Sequence, residues 1–144
     1  MYVKDVMQSD VTSALLGTPV QEAFETMRDG GFRHLPILDE FGKVAGIISD
    51  RDLRTVGAIY RDEATGTDEF LVSEDTTVDK IMATNPFNVS PDDPVSFAVD
   101  IFRDKRVGCL IVSKGGELVG VVSYLDLLSL LKKILDKHAR SSAA

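Results

Sequence analysis

The feature that most limits what this chain can become is that it contains itself twice. The run GIISDRD at 46–52 returns as GVVSYLD at 120–126, and VKDVM at 3–7 returns as VDKIM at 78–82. An offset of 75 also carries Pro19-Val20 onto Pro94-Val95 and Leu35 onto Leu110, and one residue fewer in the second copy's turn brings the offset to 74 by Gly120. Self-similarity at a fixed spacing means one supersecondary unit built twice. A one-residue deletion in a turn leaves the register of both flanks intact.

Each copy reads as strand, helix, strand, strand, helix, an α+β fold of two β-α-β-β-α repeats. In the first, 11–15 is an extended opening strand, and Thr18-Pro19 starts a helix with Pro at its first position and Gln21 completing the capping pattern. Val20, Ala23, Phe24 and Met27 fall at spacings 0, 3, 4 and 7, one apolar helical stripe that Gly30-Gly31 ends. Strands over 32–38 and 44–48 flank a turn at 39–42, and 50–60 reads as the closing helix. The second copy repeats the stripe at Val95, Ala98, Val99 and Phe102, the strands at 107–113 and 118–122, and a closing helix at 124–138. Leu125, Leu127, Leu128, Leu130, Leu131, Ile134 and Leu135 cover more than one face of that last helix, and Phe97 and Ile101 add a second apolar line to the helix before it. Two apolar faces predict a core contact plus a subunit interface, with burial inside one chain as the alternative. The organisation expected is a first repeat at 1–60, an acidic connector at 61–75, a second repeat at 76–138 and a frayed tail at 139–144.

Composition narrows the function. Sixteen basic residues against 23 acidic ones leave a net charge of −7, which argues against a nucleic-acid surface. No run approaches the roughly 18 apolar residues of a membrane span, and the start of the chain lacks a signal-peptide core, so the expected address is cytoplasmic. Cys109 is the single cysteine, set in an apolar run, and reads as a small core residue. There is no metal-ligand spacing, nucleophile elbow or glycine-rich phosphate loop, so no catalytic or metal-binding residue is expected and the chain does not read as an enzyme.

The chemistry concentrates at the two Ser-x-x-Asp turns. Ser49 with Asp52, and Ser123 with Asp126, have the spacing of a capping box, in which hydroxyl and carboxylate satisfy unpaired backbone N–H groups at a helix start. The same hydroxyl and carboxylate also read as half of a ligand site.

Taken together, the paired VKDVM and VDKIM runs, Pro19 with Pro94, FRHLPI at 32–37 and the two Gly-h-h-Ser-x-x-Asp runs (h, apolar) resemble a tandem pair of cystathionine-β-synthase (CBS) domains, a Bateman module, here without an attached catalytic domain. The resemblance covers nearly the whole chain. It implies two sheets packed together with two clefts for adenosine-containing ligands. By that resemblance Asp52 and Asp126 hold ribose hydroxyls, a role that suits a two-oxygen acceptor. Ser49 and Ser123 face phosphate, with Arg51, Arg33 and His34 as further phosphate contacts in the first copy. The adenine pockets implied are Val11, Thr12, Ser13, Leu35 and Pro36 in one copy, and Phe87, Asn88, Val89, Leu110 and Ile111 in the other, with plain strand packing as the alternative for each. The second copy carries Gly108-Cys109 and Tyr124-Leu125 where the first has Arg33-His34 and Asp50-Arg51, so its phosphate end is poorer.

These features together read as a regulatory module with no required cofactor, sensing an adenine nucleotide (AMP, ADP or ATP, with S-adenosylmethionine or a dinucleotide sharing the adenosine half). As an energy sensor it relays occupancy to a regulated protein by a population shift. A homodimer through helix faces including Phe97 and Ile101 is expected, with no nucleic-acid or membrane partner. The alternative is a nucleotide-independent assembly module whose Ser-x-x-Asp runs are only caps.

Overall fold

The computed structural model describes residues 1–142. The chain forms two compact units, one of Thr12–Pro86 and one joining Met1–Val11 to the chain from Phe87 onward. The repeats as read from sequence have therefore exchanged their opening segments, and each segment places one fully buried valine, Val3 or Val78, in the other repeat's core.

The Thr12–Pro86 unit runs β1 (Ala14–Leu15), α1 (Val20–Gly30), β2 (His34–Leu38), β3 (Val44–Ser49), α2 (Asp50–Leu53), β4 (Gly57–Asp62), β5 (Thr67–Val72) and β6 (Ala83–Thr84), with a 3-10 turn at Val78–Lys80. Its main sheet has the order β1-β2-β3-β6, parallel between β1 and β2 and antiparallel elsewhere. The predicted stripe Val20, Ala23, Phe24 and Met27 is the buried face of α1, clustered with Leu35, Ile37, Ile48, Leu53, Phe70 and Val78. Pro19 stands outside the helix, not at its first position: its backbone is extended and it bridges Thr77 while Val78 N–H donates to the Thr18 carbonyl at 2.9 Å. The proline thus holds the opening segment of the other repeat.

Residues 50–60 do not form one closing helix, and 61–75 is not an unstructured connector. After the single turn of α2 the chain turns into β4, which pairs with β5 from Gly57↔Val72 to Asp62↔Thr67. At Gly57 an added Cβ would sit 2.5 Å from the Leu71 carbonyl oxygen, so this strand contact admits only glycine. Phe70 stacks at 5.2 Å between ring centroids on Phe24, and the Arg28 guanidinium reaches the Asp68 carbonyl and the Glu69 carboxylate, both at 3.2 Å. Ile59, Phe70 and Val72 share the face that packs on this unit's core, so a segment of acidic composition is anchored by three apolar residues at alternating positions.

The other unit runs from a 3-10 turn at Val3–Asp5 to β7 (Asn88–Val89), α3 (Val95–Lys105), β8 (Cys109–Lys114), β9 (Glu117–Ser123) and α4 (Tyr124–Ser142). β7 pairs parallel with β8, β8 antiparallel with β9, and Gln8 bridges Val121 as β6 pairs with β3 in the first unit. Val3 is fully buried among Val89, Ala98, Leu110, Val112 and Val122. The β8–β9 turn is made by Gly115 and Gly116, both at positive φ, as a two-residue hairpin turn requires. Helix α4 continues to Ser142, so the stretch predicted to fray from 139 is helical as far as it is described, and Ala143 and Ala144 lie outside the described residues. No helix of the described residues is long and apolar enough to cross a membrane.

The repeated glycines have a shared steric reason. A Cβ on Gly46 would lie 2.7 Å from both the Ala83 carbonyl oxygen and the Met82 sulfur; one on Gly120 would lie 2.8 Å from the Gln8 carbonyl oxygen and the Met7 sulfur. The exchanged segments cross the sheets at these two points, and only a residue without a side chain lets them pass.

Candidate functional site

Both Ser-x-x-Asp runs are complete capping boxes at a strand-to-helix turn. Ser49 N–H donates to Asp52 Oδ2 at 2.8 Å and Asp52 N–H to Ser49 Oγ at 3.2 Å. Ser123 N–H donates to Asp126 Oδ2 at 2.8 Å and Asp126 N–H to Ser123 Oγ at 3.3 Å. Each turn is tied back to the preceding strand, Asp50 N–H to the Arg33 carbonyl and Tyr124 N–H to the Gly108 carbonyl. The carboxylates are thereby aimed by backbone, with both residues half-buried.

What remains of each carboxylate differs. Asp52 Oδ1 has no hydrogen-bond partner among the described residues. Asp126 Oδ1 accepts the side-chain amide of Gln8 at 3.0 Å, and its Oδ2 accepts the Ser123 hydroxyl at 3.1 Å as well as the Ser123 N–H. Sequence reading passed over Gln8. The signal was present: the residue after VDKIM is Ala83, so the two copies differ at this position.

His34 is paired with Ser49 across β2 and β3, on the same sheet face. Burial pushes its imidazole below the ordinary value and Arg33 adds to the effect, while Asp50 and Asp52 act in the opposite direction. Its counterpart Cys109 faces Ser123 in the same way, and burial, helped by Asp126, pushes its thiol up to about 12. A thiol held neutral in this way is a poor nucleophile, as its core reading requires. Arg33 and Arg51 are exposed and their side chains make no hydrogen bond or ion pair among the described residues, leaving two guanidinium groups free near the Asp52 end of the first unit.

The residues assigned to adenine pockets divide by sheet face. Leu35, Leu110 and Val89 are members of the two hydrophobic cores, on the helix side of their sheets. Pro36 and Ile111 alternate with them onto the other face, that of His34 and Cys109, and are buried there. Val11 and Ser13 are half-buried; Thr12, Phe87 and Asn88 are exposed. The Phe87 carbonyl accepts from Ile111 N–H at 3.0 Å, and the Ser113 hydroxyl donates to Asn88 Oδ1 at 3.1 Å, so this opening strand is docked by its own polar groups.

Separately, α3 and α4 leave a groove of about 430 Å³ lined by Val95, Val99, Tyr124, Leu128, Leu131 and Ile134 among others. No residue of α4 is buried. Val95 and Val99, four residues apart, give α3 its side of this groove, while Phe97 and Ile101, also four apart, lie on a different side of the helix, Phe97 exposed and Ile101 packed partly against the core.

Comparison with known proteins matches this geometry. The family model of the CBS domain matches residues 3–58 and again 78–133. The chain is 32% identical over 137 residues to a CBS domain-containing protein of Dictyostelium discoideum, covering 94% of each. Further curated relatives are longer: the chain spans 15% of an A-adding tRNA nucleotidyltransferase of Aquifex aeolicus and 37% of an arabinose 5-phosphate isomerase of Pseudomonas aeruginosa. Among solved structures, the CBS domain pair of protein MJ0100, in complex with 5′-methylthioadenosine and S-adenosyl-L-methionine, superposes with a TM-score of 0.76 at 24% identity, covering 92% of this chain and 97% of that one. CBSX2 in complex with AMP superposes with a TM-score of 0.75 at 19% identity and the same coverage of both chains. With both repeats matched and a near full-length relative at 32% identity, the chain belongs to the CBS domain family, carrying two copies in tandem.

Proposed function

We propose that this chain is a regulatory binding module for adenosine-containing nucleotides, without catalysis of its own, that relays occupancy to a partner protein inside the cell. The observation that carries this reading is the Asp52 carboxylate: one oxygen is fixed by Ser49 N–H and the other has no protein donor among the described residues. A vicinal diol supplies the two O–H donors that such an acceptor lacks. The free Arg33 and Arg51 guanidinium groups are suited to bidentate phosphate contact, and the Ser49 turn adds a hydroxyl. Pairs of the same fold holding AMP, and holding 5′-methylthioadenosine with S-adenosylmethionine, support an adenosine half as the common element. AMP, ADP and ATP are the first ligands to test, then S-adenosylmethionine and a dinucleotide. Binding shifts a population between arrangements of the chain and so alters the surface offered to the regulated protein.

The test is thermal unfolding with each ligand at millimolar concentration and GTP as control. A ligand at about 100 times its dissociation constant adds about 2.7 kcal/mol, a rise of roughly 5–10 °C for a chain of this size. Asp52→Asn keeps an acceptor for Ser49 N–H but removes the charge, and is expected to weaken binding about ten- to a hundred-fold. No shift with any ligand sinks the proposal.

A second reading has its own support: in both capping boxes the serine and the carboxylate satisfy each other's backbone N–H groups, as helix starts require, and α3 and α4 present an apolar face. In that reading the chain is an assembly module, and Asp52→Asn affects only the stability of the free protein.

A further inference from the structure

The two carboxylates that the repeat makes equivalent are not equally available. On Asp126, Oδ2 already accepts the N–H and the hydroxyl of Ser123, and Oδ1 accepts the Gln8 amide at 3.0 Å. A diol donating two hydrogen bonds therefore finds this acceptor largely occupied. On Asp52, Oδ2 accepts the Ser49 N–H alone, Oδ1 is open, and the residue equivalent to Gln8 is Ala83, whose side chain has no donor to offer.

We propose that Gln8 is an internal competitor for the second carboxylate, its amide standing where a nucleoside diol would donate, so that Asp52 binds such a ligand first and Asp126 binds it only after Gln8 swings away. The inference rests on the nucleotide-binding reading above and ranks its two positions. The backbone of Gln8 is pinned: its N–H donates to the Val121 carbonyl at 2.9 Å, and its carbonyl accepts from Val121 N–H at 3.0 Å. The segment crosses closely over Gly120. The side chain itself is exposed. Ligand binding thus needs only a rotamer change, which makes Gln8 a modest and reversible competitor rather than a block. Because Gln8 and Asp126 lie on segments 118 residues apart in sequence, the hydrogen bond also ties the opening segment to the start of α4, and displacement releases that tie.

Isothermal titration with AMP, and separately with S-adenosylmethionine, tests this on the wild type, Asp52→Asn, Asp126→Asn, Gln8→Ala with Asp52→Asn, and Gln8→Ala with Asp126→Asn. Losing a neutral-donor hydrogen bond worth about 0.5–1.5 kcal/mol corresponds to about a two- to tenfold gain for the competing ligand. The expected result is that gain when Gln8→Ala is added to Asp52→Asn, and none when it is added to Asp126→Asn. Gln8→Met, which keeps the bulk and removes the donor, should reproduce the gain; a gain with alanine alone overturns competition by hydrogen bonding. Binding by the wild type that Gln8→Ala leaves unchanged or weaker in the Asp52→Asn background overturns this inference while the nucleotide reading stands. Absence of binding by all the proteins to both ligands overturns the two together.

Discussion

Phe24 and Val99 occupy the same position in the two repeats, on helices of equal length with the same apolar spacing, yet Phe24 is 5% exposed and Val99 42%. The difference arises in the chain that leaves the second strand of each hairpin. In the Thr12–Pro86 unit it makes one turn of helix and folds back as the β4–β5 hairpin, whose Phe70 covers Phe24. In the other unit it runs on as the 19-residue α4, and the face of α3 and α4 stays open. Two copies of one pattern thus finish their cores differently, one with its own chain and one with a surface still to be covered. We propose a second copy as the cover, in an isologous dimer through α3 and α4.

The largest expected effect is on the covered side. Phe70→Ala should cost about 3–4 kcal/mol in urea unfolding, because it empties the space over Phe24, while Val99→Ala at the open face should change the free chain little. Equal costs would remove the contrast. Next, Gly46→Ala and Gly120→Ala should each destabilise by about 1–3 kcal/mol and to a similar degree, since both place a methyl against a crossing backbone carbonyl. A tolerated substitution at one of them alone would show that the crossings are not equivalent.

Val99→Glu combined with Leu128→Glu should leave the chain within about 0.5 kcal/mol of its starting stability, apart from any dimer contribution, and convert a dimer to a monomer by light scattering. An unchanged mass would move the interface elsewhere.

The smallest effect separates the units by pH. His34 is held below its ordinary value, so on acidification the unfolded chain takes up its proton first, and stability falls as pH drops below about 6.5. Cys109 is pushed up to about 12, so the unfolded thiol ionises first, and stability falls as pH rises above about 8.5. Urea midpoints at pH 5, 7 and 9 should lose the acid slope in His34→Gln and the alkaline slope in Cys109→Ala. A His34→Gln chain with the acid slope intact would assign that slope to other groups.

Much of this was legible in sequence because it is local. The stripe Val20, Ala23, Phe24 and Met27, the paired strands with their turns, and the two capping boxes follow from periodicity and spacing within a dozen residues, where side-chain direction is set by the backbone. The hairpin was hidden because charged and polar residues outnumber apolar ones over 61–75 and Gly57 lies inside a run that could pass for helix, although a glycine there was already a reason to end it. That Leu35, Val89 and Leu110 belong to the cores was not legible, since residues adjacent in a strand face opposite sides and only packing says which side is core.

The chain's local patterns alone establish two equivalent strand–helix–strand–strand units, each ending its last strand in a serine with a carboxylate three residues on, because these depend on hydrogen bonds and rotamers between near neighbours. Only the tertiary structure decided that the opening segments are exchanged, that Gly46 and Gly120 mark their crossings, and that Gln8 reaches Asp126 while Ala83 leaves Asp52 open. Those are contacts across 36 to 118 residues of chain, and no local preference encodes which distant backbone will lie against a given side chain.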